Sequence, residues 1–317
     1  MEDRGGTAKD FMIFRLKIEE ISPYFKGYLC LNEEMSSHTT LRIGGPADLY
    51  AVPEDVLSLK YLLLYLFDKG IPITPLGGGS NVLVSDRGIR GAVISSLSLK
   101  RAEVIESDRD SARLFVEAGT SLQRLLEISK REGLSGIEGL AGIPGSLGGA
   151  IKGNAGSFGF EIGDCLESIA VMDLKGNISI IKRDALGFGY RRSEVPEGLI
   201  LSAIIRLRKD VPDNVSERIS SFLEEKRKRQ PLTSWSAGCV FKNPEGAKAG
   251  SLIDEAGCKG MRRGDIEVSE RHANFFLNRG KGTASDFLSL MEDVKLNVFR
   301  YFGIELEPEI RIIGEWH

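Results

Sequence analysis

At 317 residues the chain is long enough for two or three domains with proper cores. Charged residues at 27% and hydrophobic residues at 42% make an ordinary globular balance, and a net charge of −3 gives no basis for general binding to nucleic acid or to an anionic membrane. Four cysteines (Cys30, Cys165, Cys239, Cys258) and three histidines (His38, His272, His317) lie scattered with no CxxC, so no zinc or haem site is indicated, and the thiols read as reduced, which suits a cytosol. The charged, Gly-containing stretch MEDRGGTAKD reads as part of a frayed tail, residues 1–12, and not as a signal peptide. The longest apolar run, Leu62 to Phe67, is far too short to span a bilayer.

A short helix is expected over 13–29. Leu41 and Ile43 read as a strand entering a turn at Gly44-Gly45-Pro46, and Leu49–Val52 as a second strand. Pro53, Glu54 and Asp55 mark a helix start; that helix runs to about Lys69, where Gly70 caps it. Ile71–Leu76 reads as a buried strand feeding Gly77-Gly78-Gly79-Ser80-Asn81, with a further strand at Val82–Val84. Strands follow at 92–96 and 113–118, then a helix capped by Ser121 and ended by Gly133, with Leu122, Leu125, Leu126 and Ile128 apolar. Leu166–Met172 and Ile178–Ile181 form a hairpin across Lys175-Gly176-Asn177, and Leu199–Leu207 is a strong strand. A helix over Val215–Arg229 ends in a basic run before Pro231. Ala249–Ala256 is a short helix, Ile266–Val268 and Asn274–Leu277 are strands, Thr283 opens a long helix ended by Gly303, and Ile304–Ile313 closes the chain as a strand. Short strands with a few helices make an α+β arrangement.

Two glycine-rich segments stand out. In residues 133–159 glycine falls at 133, 136, 139, 142, 145, 148, 149, 153, 156 and 159, a density no regular element is expected to tolerate. Leu140, Ile143, Pro144, Leu147, Ala150 and Ile151 are interleaved, and a flexible linker is seldom so apolar. Bare N–H groups at such density suit an anion. The second segment, residues 77–81, lacks the GKS or GKT ending of a P-loop, and the GxGxxG dinucleotide fingerprint is absent. Two such loops flanked by buried strands point to a dinucleotide held outside a Rossmann fold.

TTLRIGGPA, PLGGGSNVLVSD, GLAGIPGSLGGAIKGNAGSFG, FGYRRS, SAGCVFKNP and LEPEIR occur in this order over nearly the whole chain. Together they resemble the UDP-N-acetylenolpyruvoylglucosamine reductase (UDP-N-acetylmuramate dehydrogenase, MurB) family, in its shorter branch, since Ser193 runs into the Leu199 strand with no room for an inserted tyrosine loop. The resemblance implies an α+β fold: two FAD-binding subdomains of the PCMH/vanillyl-alcohol-oxidase type (1–97 and 98–211) and a C-terminal substrate domain (212–317). It implies NADPH-dependent reduction of UDP-N-acetylglucosamine enolpyruvate to UDP-N-acetylmuramate for peptidoglycan in the bacterial cytoplasm. The partner implied is a UDP-sugar, with no nucleic acid, membrane or metal, and the chain acts as a monomer.

By the same resemblance, non-covalent FAD contacts Gly44, Gly77, Gly78, Gly79, Ser80, Asn81, Gly142, Ile143, Pro144, Gly145, Ser146, Gly148, Gly149, Ala150, Gly153, Asn154, Ala155 and Gly156. Hydride passes from NADPH through flavin N5 to the terminal alkene carbon, leaving negative charge on the enolate. Arg191 binds the substrate carboxylate, a match of guanidinium fork to carboxylate, with Arg192 as a surface partner. Glu309 sits beside the developing charge, protonated or hydrogen-bonded; on pattern alone Glu307 is an equal candidate. Cys239 stands at the proton-donor position, where the family pattern has Ser; a thiol is the stronger acid of the two. Tyr190, Lys242, Asn243 and Arg229 line the substrate site, with Lys226, Arg227 or Arg229 facing the pyrophosphate. Two other readings compete: a different FAD-dependent oxidase or dehydrogenase on this scaffold, and a degenerate nucleotide-binding paralogue. FGYRRS, SAGCVFKNP and LEPEIR speak against the first; Cys239 in place of Ser is the only support for the second, and retention of Arg191 and Glu309 speaks against it.

Overall fold

A computed structural model of the chain describes residues 17–316, so the expected tail 1–12 and the start of the expected helix at 13–29 lie outside the described residues. One helical turn, Ile18–Ile21 (α1), precedes Pro23, so the expected helix is cut short, and the chain then runs as a strand, Gly27–Glu34 (β1), whose first three residues fall within the span expected to be helical. Next come Pro46–Pro53 (β2), Val56–Asp68 (α2), Ile73–Leu76 (β3), Val82–Val84 (β4), Ile89–Ser95 (β5), Ala102–Ser107 (β6) and Ser111–Glu117 (β7). They are followed by Leu122–Glu132 (α3), Leu134–Ser135 (β8), Leu147–Lys152 (α4), Gly156–Ser157 (β9), Phe160–Glu161 (β10), Ile162–Cys165 (α5), Leu166–Met172 (β11) and Ile178–Lys182 (β12). The rest is Leu199–Lys209 (β13), Pro212–Arg229 (α6), Ala249–Glu255 (α7), Arg262–Arg263 (β14), Ile266–Val268 (β15), Phe276–Asn278 (β16), Ala284–Phe302 (α8) and Arg311–Ile313 (β17). No helix among the described residues is long and apolar enough to cross a membrane.

The chain divides into two compact units with interleaved segments, 17–33, 47–78 and 90–219 in one and 34–46, 79–89 and 220–316 in the other. The first unit carries a four-stranded sheet in the order β1-β2-β5-β3 and a larger sheet whose path is β12-β11-β13-β7-β6, with β8 also pairing β13. Its core joins Leu59, Leu62, Leu63 and Leu66 of α2 to Leu49, Ala92 and Ile94 on the first sheet and Met172, Leu199 and Leu201 on the second. Asp55 starts α2 by accepting from the Ser58 N–H at 2.7 Å, one residue pair after Pro53. β3 is shorter and less buried than expected. It pairs parallel to β5 at the sheet edge, where exposed Pro75 is tolerated because its missing donor faces no neighbour.

The second unit is built on α8, opened by the capping box of Thr283 and Asp286. Phe287, Leu290, Met291, Val294 and Val298 pack on Ile266, Val268, Phe276 and Phe241, each burial worth roughly 1.5–3 kcal/mol before entropy. Leu41 and Ile43 belong to this core but form no strand. Left-handed Arg42 (φ 56°) separates them, and the Thr39 hydroxyl bonds the Ile43 backbone in place of a ladder. The closing strand is likewise only β17, parallel to β4. In the first unit α4 is a helix inside the glycine stretch. Leu147, Ala150 and Ile151 are buried there, so tertiary packing overrides low propensity.

Glu267 on β15 is a buried carboxyl of the second unit, 4% exposed. Arg279 donates to its Oε1 at 2.7 Å, and Arg262, its cross-strand neighbour, donates to the other oxygen. The Arg279 hydrogen bond, against the cost of burial and with help from the Arg262 charge, holds this carboxyl below its ordinary value. A carboxyl with a depressed folded-state value stabilises above the ordinary Glu value of about 4.3 and loses that contribution as pH falls through it and below. Glu267→Gln is expected to lower stability by about 1–3 kcal/mol near neutrality, and the gap to the parent in thermal unfolding is expected to shrink at about pH 3.

Candidate active site

In the first unit the two glycine loops meet backbone to backbone. A Cβ on Gly78 would lie 3.0 Å from the Gly145 Cα, and one on Gly77 would lie 2.6 Å from the Ser146 hydroxyl. Only glycine permits that approach. The Gly145–Gly148 backbone is fixed in turn, Leu122 donating to the Gly145 carbonyl at 3.1 Å, Leu147 to Thr120 and Gly148 to Ala118 at 2.8 Å each. Ser146 is 1% exposed, and its Oγ is buried with no hydrogen-bond partner among the described residues. Beside it, Gly142, Ile143 and Gly145 are half-buried, and Pro144 and Gly149 are exposed. A neutral, backbone-rich cradle with an unsatisfied hydroxyl fits a phosphate-bearing cofactor.

Asn154 ends this stretch, fully buried and left-handed (φ 43°). Its Nδ2 donates to Glu161 at 2.6 Å and to the Gly189 carbonyl at 3.0 Å, and its Oδ1 accepts from the Gly163 N–H at 3.2 Å. Gly189 and Arg192 exchange two backbone hydrogen bonds of 3.0 Å, closing the tight turn that carries Tyr190 and Arg191. Arg191 is itself left-handed (φ 54°), a strained conformation for a non-glycine residue that persists only where neighbours impose it. Its Nη1 donates to the Gly156 carbonyl at 3.0 Å, and its guanidinium lies 5.5 Å from the Tyr190 ring centroid. Arg192 instead pairs with Glu194 at the surface.

The second unit brings Cys239 and Glu309 onto neighbouring segments. The Glu309 N–H donates to the Val240 carbonyl at 2.7 Å, Phe241 bridges Pro308, and the Lys242 N–H donates to Glu307 at 2.9 Å. On the other edge Cys239 bridges Phe275 and the Val240 N–H donates to the Asn274 carbonyl at 2.8 Å. Cys239 and Glu309 are half-buried; Glu307 is exposed and ion-paired to the Lys242 Nζ at 3.2 Å, so the two carboxylates that the sequence pattern left equal have different surroundings. Asn81 donates from Nδ2 to the Glu309 carbonyl at 3.2 Å, and Gly79 passes so near His38 that a Cβ would meet its carbonyl at 2.0 Å. Gly44 and half-buried Ser80 lie in this unit too. The Asn243 Oδ1 accepts from Ala249, the first residue of α7. At the end of α6, Arg229 is exposed and pairs with Glu225 at 3.0 Å, whereas Lys226 is the buried cation of that basic run.

Comparison with known proteins places this geometry in a class. A family model described as FAD binding domain matches residues 47–181, and the fold is a mixed α+β FAD-binding fold of the PCMH type with a further C-terminal domain. A model for the UDP-N-acetylenolpyruvoylglucosamine reductase C-terminal domain matches residues 230–313. The UDP-N-acetylenolpyruvoylglucosamine reductase of Geotalea uraniireducens is 42% identical over 290 residues, 91% of this chain and 95% of that protein. That of Caldanaerobacter subterraneus is 40% identical over 301 residues, 94% and 97% of the two chains. The crystal structure of UDP-N-acetylenolpyruvylglucosamine reductase (MurB) from Thermus caldophilus superposes with a TM-score of 0.77 at 34% identity, covering 91% of this chain and 99% of that one. The chain belongs to the UDP-N-acetylenolpyruvoylglucosamine reductase family, FAD-binding oxidoreductases of peptidoglycan precursor synthesis that act on a UDP-sugar.

Sequence reasoning gave Asn274 no role. The signal available was an Asn inside an apolar strand pattern, where its type is depleted. Asn154 carries more than its place in a glycine loop indicates, since three hydrogen bonds converge on its amide. Asn154→Ala is expected to cost about 2–4 kcal/mol, from lost bonds to buried groups and the left-handed backbone, read as a lower urea midpoint.

Proposed function

We propose that the chain reduces the enolpyruvyl ether of UDP-N-acetylglucosamine enolpyruvate to UDP-N-acetylmuramate with NADPH as hydride donor. The observation that carries this reading is that the segment of Cys239 runs beside that of Glu309, whose N–H donates to the carbonyl of Val240, the residue next to Cys239. Bound FAD would supply hydride transfer, from NADPH to the terminal alkene carbon of the substrate. Its contacts on the first unit are Gly77, Gly78, the Gly142–Ala150 backbone with the Ser146 hydroxyl, and Gly153–Gly156; on the second they are Gly44, Gly79, Ser80 and Asn81.

When the new C–H bond forms, the alkene electron pair moves toward the carboxylate. Arg191, held in one conformation by its strained turn and by Gly156, binds that carboxylate and takes up the growing charge without loss of its own proton. The Cys239 Sγ–H gives its proton to the adjacent carbon, completing the second C–H bond; the thiolate regains a proton from solvent. Glu309 stands beside this charge as a hydrogen-bonded or protonated carboxyl. Tyr190, Lys242 and Asn243 contact the sugar nucleotide, and Arg229 or a neighbour among Lys226 and Arg227 meets its pyrophosphate.

The same reading takes the chain as a three-part protein with divisions near 97 and 211, of the shorter branch, because only residues 194–198 separate Ser193 from β13. It takes the chain as a monomer. NADPH and a UDP-sugar are soluble metabolites, which is the ground for a cytoplasmic location.

Cys239→Ser is expected to keep turnover within about tenfold, because the hydroxyl still carries a transferable proton, and Cys239→Ala to lose about 10²–10⁴-fold. Steady-state turnover of UDP-N-acetylglucosamine enolpyruvate decides it. An alanine variant at full rate would remove Cys239 from the mechanism.

A further inference from the structure

The segment that carries Cys239 is not held by a regular sheet. It makes isolated bridges at Cys239, to Phe275, and at Phe241, to Pro308, and no continuous ladder on either edge. Single bridges leave the register of a short segment weakly specified. What pins it is the side chain of Asn274, 2% exposed. The Phe241 N–H donates to the Asn274 Oδ1 at 2.9 Å, and the Asn274 Nδ2 donates to the Phe241 carbonyl at 2.8 Å. The amide thus acts as one more peptide group, satisfying both polar atoms of Phe241 at once, while the Asn274 main-chain carbonyl accepts from Val240 at 2.8 Å. Three hydrogen bonds from one residue therefore lie within two positions of the Cys239 thiol. The opposite edge is held by Glu309 through Val240 and by Glu307 through Lys242.

We propose that Asn274 is a positioning residue for the proton-transfer step: its amide sets the register of 239–242, and so the place of the Cys239 Sγ, without touching substrate. This rests on the reading of Cys239 as the proton donor. Asparagine suits the task because it offers a donor and an acceptor in the geometry of a backbone peptide. Aspartate has the same shape and keeps the bond from Phe241 N–H, but it sets an acceptor against the Phe241 carbonyl. Alanine leaves both Phe241 groups without partners.

The test uses the FAD-loaded full chain and separates the two half-reactions by stopped flow under anaerobic conditions. Asn274→Asp and Asn274→Ala are made alone and in a Cys239→Ala background. The expected result is flavin reduction by NADPH within about twofold of the parent, and reoxidation by UDP-N-acetylglucosamine enolpyruvate slowed about tenfold or more. In the Cys239→Ala background the added slowing is expected to be under about twofold, because the group being positioned is gone. Reoxidation at the parent rate in Asn274→Asp overturns the proposal, as does equal slowing with and without Cys239. If both variants lose flavin or fail to fold, Asn274 holds the fold and not the thiol, and the proposal is likewise overturned. A Cys239→Ala protein that reoxidises at the parent rate is a separate failure, of the donor assignment itself.

Discussion

A Cβ on Gly78 would lie 3.0 Å from the Gly145 Cα, so one loop can lie on the other only where Gly78 carries no side chain, and that constraint governs the glycine loops of the first unit. Gly77 and Gly78 lie against Gly145 and Ser146 because their lack of a side chain leaves room for one loop on the other. The contact lies where β3 ends and α4 begins, and the Ser146 hydroxyl is buried there without a hydrogen-bond partner among the described residues. So weak a helix former as LGGAIK is helical because Leu147, Ala150 and Ile151 supply the burial that propensity lacks, while a Cβ on Gly148 would lie 3.0 Å from that of Ala118. From α4 the chain passes directly to Asn154, whose amide ties it to the turn of Arg191. The glycine cradle and the turn of Arg191 are therefore consecutive parts of one hydrogen-bonded structure.

The second unit solves a different problem. The short stretch of chain around Cys239 belongs to no sheet and is held in register by other means. Backbone groups of Phe275 and Pro308 bracket it, and side chains add to this, buried Asn274 on Phe241 and half-buried Asn81 on Glu309. The Asn274 amide stands in for a backbone peptide group, donating to and accepting from Phe241 at once. Glu267, with its two arginines, anchors the neighbouring strand β15 in the same unit.

Elements whose signals are local were legible in the sequence. The caps at Asp55, Ser121 and Thr283 and the left-handed ends at Gly133 and Gly303 mark helices that the structure has. So does the hairpin around Gly176, where Met172 pairs with Ile178. The α+β class and the FAD-binding character also hold. Elements decided by distant neighbours were not legible. β1 is a half-exposed and β6 an almost wholly exposed edge strand, neither with clean alternation, and Leu41 and Ile43 are core residues in an irregular loop. At the site, motifs singled out residue types, but only tertiary pairing separates half-buried Glu309 from exposed Glu307, or gives Asn274 a task.

The central claim is that one protein accepts hydride from NADPH on bound flavin and delivers it to an enolpyruvyl UDP-sugar. The most direct measurement reduces the purified protein anaerobically with one equivalent of NADPH, adds UDP-N-acetylglucosamine enolpyruvate, and follows the oxidised-flavin band near about 450 nm. Prompt return of that band with UDP-N-acetylmuramate formed in step is the predicted result. Flavin that is reduced by NADPH but stays bleached after the sugar nucleotide is added would contradict the account.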